Sequence, residues 1–269
     1  MIVDGKVIAE RIKLGLKKEI EKLPRQLKLT HFVGTDDSAI QSFVRIKRRV
    51  ADELGVLVEG VDVTLLDTEE MVEKIRKEEN QTDGIILQFP LPEDVDASVA
   101  KNAIPLSLDV DAISEKAIDE FKEGRLKILP PVAGAIKEII NAYKIEVVRK
   151  KVLIVGAGLL VGIPSEILFE QLGADVEIVT KGVTDLSTYS RRADIIVLGA
   201  GQPGLLSPDM INEGVIVFDA GTSEEGGKLI GDADPACASK CRFFTPVPGG
   251  IGPITIAMIF KNLLTLRRR

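Results

Sequence analysis

The chain has 269 residues, 45% hydrophobic and 28% charged, with a formal net charge of −6. That length holds one large or two ordinary domains, and the composition is that of a water-soluble globular protein. Acids and bases are interspersed with a negative balance, which argues against nucleic acid or an anionic membrane as the main partner; no apolar run approaches the roughly 18 residues of a membrane span. The opening MIVDGKVIAERI carries Asp4 and Glu10 and lacks the uninterrupted apolar core of a signal peptide, so the chain reads as cytoplasmic. In chain order the pattern predicts a helix over 6–22, a strand over 27–33, a helix over 38–55, a strand over 61–66 (VDVTLL), a helix over 68–79 and a strand over 84–88 (GIILQ). Prolines and loop residues fill 89–111. A short helix with a turn at Gly124 occupies 114–131, and a helix follows over 132–144. A second strand–helix series has strands at 151–155, 175–179, 194–198 and 215–219 and closes with a helix over 253–266. Alternation of this kind specifies an α/β fold with mostly parallel strands. The boundary between two domains falls between 112 and 135, which divides the chain into 1–120 and 121–269, with the last helix (253–269) packing back on the first part.

Lys47 is the residue out of place. Ile40, Phe43, Val44, Val50, Ala51 and Leu54 share one helical stripe at about 100° per residue, and Lys47 falls near its middle. A buried ammonium is costly unless it is paired or loses its proton, which makes an inward lysine a functional-site candidate. The same pattern fits a snorkelling side chain whose amine reaches water, and the helix alone does not decide between the two.

The strand KVLIV runs into Gly156-Ala157-Gly158-Leu159-Leu160-Val161-Gly162 and then a helix. Gly156 suits a tight strand-to-helix turn, and Gly158 lets a pyrophosphate approach the backbone. The helix start supplies free N–H groups and a positive dipole end. Gly162 completes a GxGxxxG turn rather than the stricter GxGxxG. A site for NAD normally has an acid at the tip of the next strand. Here that tip reads Val179-Thr180-Lys181-Gly182, and Lys181 suits a 2′-phosphate, which favours NADP over NAD.

Cys237 and Cys241 lack the further ligands a metal pair needs and read as small packed residues. The single histidine, His31, lies in a strand and reads as structural, outside any site.

The stiff loop Pro246-Val247-Pro248-Gly249-Gly250-Ile251-Gly252-Pro253-Ile254-Thr255 leads into the last helix, with Pro253 suited to its first turn. It resembles the PVPGGVGPMT loop of the methylenetetrahydrofolate dehydrogenase/methenyltetrahydrofolate cyclohydrolase family. The resemblance runs the length of the chain: IVDGK at 2–6, GIILQFPLP at 84–92, DVDA at 109–112, VGIP at 161–164 and GDAD at 231–234 all follow in order.

The resemblance implies an N-terminal α/β folate-binding domain and a C-terminal Rossmann-type NAD(P)-binding domain, a folate cleft between them, and a homodimer. It places the family's catalytic lysine on Lys47, the glutamine beside it on Gln88 and the pterin-binding aspartate on Asp111. Phe43, Pro248, Gly249, Gly250 and Pro253 become substrate-binding candidates. Gly156, Ala157, Gly158, Gly162, Thr180 and Lys181 become candidates for NADP, with NAD possible. The implied activity is oxidation of 5,10-methylenetetrahydrofolate followed by hydrolysis to 10-formyltetrahydrofolate. Its partners would be tetrahydrofolate derivatives, with no nucleic acid, membrane or metal. Four places depart from the family pattern. Phe43 replaces a tyrosine, Ala157 and Gly158 replace an arginine and a serine, Gly182 replaces a serine past the second strand, and Pro130-Pro131-Val132-Ala133 replaces PCTP. The first leaves open a dehydrogenase with weak or no cyclohydrolase; a non-catalytic nucleotide-binding protein is the reading from another class.

Overall fold

The computed structural model describes residues 1–180, 183, 185–226 and 228–267. Its helices are α1 (Gly5–Ile20), α2 (Ser38–Leu54), α3 (Thr68–Glu78), α4 (Ala97–Asn102), α5 (Glu115–Lys122), α6 (Pro131–Tyr143), α7 (Gly162–Gln171), α8 (Ser187–Ser190) and α9 (Ile251–Arg267). The strands are β1 (Lys28–Val33), β2 (Leu57–Asp62), β3 (Gly84–Gln88), β4 (Lys151–Val155), β5 (Asp175–Val179), β6 (Ile195–Leu198), β7 (Ile216–Asp219), β8 (Ser223–Glu225), β9 (Lys228–Ile230) and β10 (Phe243–Phe244).

Two compact units emerge, and the chain passes between them within α1, at Pro130/Pro131 and within α9. The Lys47 unit holds Arg11–Pro130 and the chain from Ile256 on; the Gly156 unit holds Met1–Glu10 and Pro131–Thr255. By this division the chain crosses at Pro130/Pro131 rather than at residue 120, the first ten residues group with the Gly156 unit, and the second half of α9 groups with the Lys47 unit.

In the Lys47 unit β1 lies between β2 and β3, all parallel. A central strand is covered on both faces, so Leu29, Thr30, His31 and Phe32 of β1 are all buried. One face packs Leu29 and Ile86 against Val50, Ala51 and Leu54 of α2 and Ile259, Phe260, Leu263 and Leu264 of α9. Each such side chain contributes roughly 1.5–3 kcal/mol on burial. The buried carboxylate of Asp83 accepts both Nη groups of Arg25 and the Lys28 amide, and Arg267 Nε lies 3.2 Å away, which fixes the start of β3 and the end of α9. The strand expected over 61–66 begins four residues earlier. Its ladder ends at Val63, whose amide reaches the Val33 carbonyl, and Leu65 projects into solvent in the turn that follows. Gly60 and two acids mask the true strand's pattern, as befits an edge.

In the Gly156 unit the parallel sheet runs β10-β7-β6-β4-β5. The chain winds from β4 one way to β5 and then back across to β6, so a topological switch point falls between β4 and β6. α7 packs on β4 and β5. Val155, Val179, Leu198, Leu206 and Val217 belong to one core cluster, with the free thiols of Cys237 and Cys241 among them. Burial raises both thiols, to about 11 and about 12.

Candidate active site

Lys47 lies on α2, three residues before the buried Val50–Ala51 pair. Its Nζ donates to Gln88 Oε1 at 2.8 Å. Gln88 is the last residue of β3, where the strand gives way to the FPLP turn, and its Nε2 donates to the Phe89 carbonyl at 3.1 Å. With that nitrogen committed, the oxygen faces the lysine. Burial lowers the Lys47 pKa below the ordinary lysine value, and the charge of Asp111 partly opposes the shift.

Asp111 stands on the loop between α4 and α5, and Asp109, bridged to Ile85 of β3, shapes that loop. The fully buried Asp109 carboxylate accepts from the amides of Ile113 (3.1 Å) and Ser114 (2.9 Å), and Ala112 turns through φ +53°. Asn262 of α9 donates to the carbonyls of Val110 (2.8 Å) and Leu129 (2.7 Å), which holds the loop from its other side. Burial raises the Asp111 pKa to about 6, with Lys47 pulling it down and Asp109 pushing it up. The amine, the carboxamide and the carboxylate of the sequence reading thus lie together in one unit. Phe43, one turn before Lys47 on α2, is partly buried.

His31, which the sequence leaves outside the site, contacts this group. It is 1% exposed on β1, and its Nε2 lies 3.3 Å from Gln88 Oε1. The signal in the sequence was a titratable side chain within a strand that also carries Leu29, Phe32 and Val33. Asp109 was also overlooked, although the DxD spacing and the helix-capping Ser114 beyond it mark a carboxylate that closes a turn.

In the Gly156 unit the glycine turn stands at the switch point. Gly156 has φ +103°, and a Cβ there would come within 2.6 Å of the Gly199 carbonyl at the end of β6. A Cβ on Gly162 would strike the Gly156 carbonyl at 2.0 Å, so chain geometry alone requires both. Gly158 differs: a Cβ there meets nothing within 4 Å. Its lack of a side chain therefore leaves open room beside the start of α7, which carries no side-chain cap. Ala157 lies between the two glycines, and Gly156 N donates to Val179 O at 2.8 Å, which brings the end of β5 and Thr180 beside the turn. This arrangement fits the pyrophosphate of a dinucleotide. Lys181 and Gly182 lie outside the described residues.

Two carboxylates brace the same sheet edge. Asp232 accepts from the amides of Ala200, Gly201 and Gln202, and Asp219 accepts from those of Gly221, Asp232 and Ala233. The loop holding Pro248, Gly249 (φ +106°) and Gly250 leaves this edge through Thr245, whose amide reaches the Val217 carbonyl. Pro253 is the third residue of α9, not the first as the predicted helix over 253–266 had it.

The two units define a class: an α/β protein with a Rossmann-type sheet and a separate unit carrying a buried amine. Family models for the tetrahydrofolate dehydrogenase/cyclohydrolase catalytic domain and its NAD(P)-binding domain match residues 3–111 and 130–269. The bifunctional protein FolD of Nautilia profundicola is 35% identical, over 97% of this chain and 95% of its own length. The crystal structure of the FolD methylenetetrahydrofolate dehydrogenase/cyclohydrolase from Campylobacter jejuni superimposes with a TM-score of 0.93 at 32% identity, covering 100% of this chain and 98% of that one. The Trypanosoma brucei enzyme, complexed with NADP cofactor and inhibitor, also gives 0.93, at 29% identity over 100% and 97%. The chain belongs to the tetrahydrofolate dehydrogenase/cyclohydrolase family.

Proposed function

We propose that the protein oxidises 5,10-methylenetetrahydrofolate to the 5,10-methenyl cation with NADP and hydrolyses that cation to 10-formyltetrahydrofolate. The observation that carries this reading is the Lys47–Gln88 contact, a partly buried amine held by a neutral acceptor within reach of the Asp111 charge. The two activities named for the Campylobacter jejuni FolD structure, 32% identical and covering 100% of this chain, support it.

The Lys47 unit serves as the catalytic part and the Gly156 unit as the nucleotide-binding part. Gly156, Ala157, Gly158, Gly162 and Thr180 would hold the dinucleotide, whose nicotinamide supplies the hydride acceptor when bound. NADP is preferred because the described tip of β5, Val179-Thr180, offers no acid for a ribose 2′-hydroxyl.

In the ring-opening step water attacks the methenyl carbon and forms a C–O bond. Lys47 takes a proton from that water, which requires an amine whose pKa lies below the usual ~10.4. The hydroxyl of the adduct then gives up its proton as the C–N5 bond breaks, N5 keeps the electron pair and takes up a proton, and the formyl group stays on N10, with one proton released overall. Gln88 orients the amine by accepting from it. An acid in that place would hold the lysine charged. Asp111 accepts from pterin N–H groups as a carboxylate. Pro248, Gly249, Gly250 and Pro253 give a stiff loop suited to a ring, and Phe43 a ring face for stacking. Homodimeric assembly and a cytoplasmic location complete the proposal.

Phe43 has no hydroxyl, and this favours a second reading in which ring opening is feeble. One assay tests both: methylenetetrahydrofolate is supplied with NADP and then with NAD, and reduced nucleotide and 10-formyl product are followed on one preparation. The proposal requires both products and faster turnover with NADP; reduced nucleotide with the methenyl compound as end product favours the second reading.

A further inference from the structure

His31 sits on the central strand β1 in register with Ile86 of β3, while Gln88 is in register with Val33. Parallel neighbours in register share a face, so His31 and Gln88 project to the same side of the sheet, that of Leu29 and Ile86. An aliphatic side chain would fill this core position at lower cost. The imidazole instead leaves Nδ1 buried with no hydrogen-bond partner, one of two such side-chain atoms among the described residues. A buried orphan in an otherwise satisfied core calls for a reason.

The neighbouring groups fix the tautomer. Gln88 Nε2 is committed to the Phe89 carbonyl, so the atom facing His31 is the carboxamide oxygen, which already accepts from Lys47. Only a protonated Nε2 makes a favourable contact there. The other tautomer would oppose two lone pairs and bury an unpaired N–H. Burial and the charges of Lys47 and Arg48, both on α2, hold the ring neutral with a pKa of about 3.

We infer that His31 is a positioning residue: its neutral imidazole donates through Nε2 to Gln88 Oε1 and fixes that oxygen where the Lys47 amine meets it. The inference rests on the roles of Lys47 and Gln88 proposed above. Without this second donor, the Gln88 carboxamide keeps one anchor at Phe89 and one bond to the group that must move protons. The amine then loses its fixed direction while substrate and nucleotide contacts stay as they are.

The test uses His31→Leu and His31→Gln in the full chain. A glutamine side chain can bring an amide N–H close to the place of Nε2; leucine brings none. We expect His31→Leu to lower kcat for hydrolysis of the methenyl compound about five- to tenfold, the worth of one neutral hydrogen bond. KM and NADP affinity should stay unchanged, and His31→Gln should recover most of the rate. Because this is the only histidine, nitrogen-15 NMR reads its ring without assignment and should show a single Nε2–H tautomer from about pH 8 to pH 5. A folded His31→Leu with wild-type kcat, a His31→Gln variant no better than leucine, or an Nδ1–H spectrum would each overturn the inference. Should leucine prevent folding, the glutamine variant and the wild-type spectrum decide. A wild type that forms 10-formyl product while His31→Leu is unaffected removes only the positioning role. A wild type with no ring-opening activity removes the proposed function itself, and the spectrum still decides the His31–Gln88 bond.

Discussion

Lys47 Nζ and Gln88 Oε1 meet at 2.8 Å, and the partner of this partly buried amine is an amide, not a carboxylate. A carboxylate in hydrogen-bond contact would hold the proton on the lysine. The amide gives direction with little charge, and burial is left to lower the pKa.

That balance has a stability cost. The Lys47 pKa is lower in the folded chain than in the unfolded one, so the unfolded state binds more protons between the two values and stability rises with pH across that window. Lys47→Met removes the buried charge. We expect the variant to melt no lower than wild type at pH 7, with any advantage shrinking as pH approaches 10. Melting curves at a series of pH values check this.

Asp111 and His31 oppose each other in acid. The Asp111 pKa is raised to about 6, so its contribution is present below the unfolded carboxylate value and is lost as pH rises through about 6. The His31 pKa is lowered to about 3, so its contribution is present above the unfolded value near 6.5 and is lost as pH falls toward 3. Each slope is at most about 1.4 kcal/mol per pH unit. Between pH ~4 and ~6 the two should largely cancel in wild type. Asp111→Asn should lose stability as pH falls through that range, and His31→Leu should gain it. Urea titrations of the three proteins at several pH values separate these effects.

The glycines of the dinucleotide turn should separate into two kinds. Gly162→Ala places a methyl 2.0 Å from the Gly156 carbonyl and should destabilise the fold by about 1–3 kcal/mol. Gly158→Ala meets open space and should melt as wild type, yet weaken NADP binding at least about tenfold, since each 1.4 kcal/mol lost is a decade. Calorimetric titration with NADP beside a melting curve tests both.

Asn262 reaches two loop carbonyls from α9, one beside Asp111. Asn262→Leu leaves both carbonyls without this donor and should cost about 2–4 kcal/mol. It should also raise KM for the folate more than it lowers kcat, as steady-state kinetics would show.

Much of this was legible in the chain. β3, β4 and β5 fall where apolar runs of strand length end in turn residues, and Lys47 was marked by its place on an apolar stripe. β2 was misplaced because edge strands carry acids and glycine that blur the period of two. α4, the short β8–β9 pair and β10 are too brief for periodicity to register. The contact of His31 with Gln88 depends on strand order, which places β1 between β2 and β3, and local sequence carries no sign of that. Asp109 escaped notice because its role is to satisfy backbone amides in a turn, a task that depends on the turn's path.

The measurement closest to the central claim is the division of products in Lys47→Met. Supplied with methylenetetrahydrofolate and NADP, wild type should accumulate reduced nucleotide and 10-formyltetrahydrofolate together. The variant should bind NADP as wild type does but lose 10-formyl formation by at least about a hundredfold, the scale of removing a general base. A folded Lys47→Met that forms 10-formyl product at the wild-type rate would contradict the account.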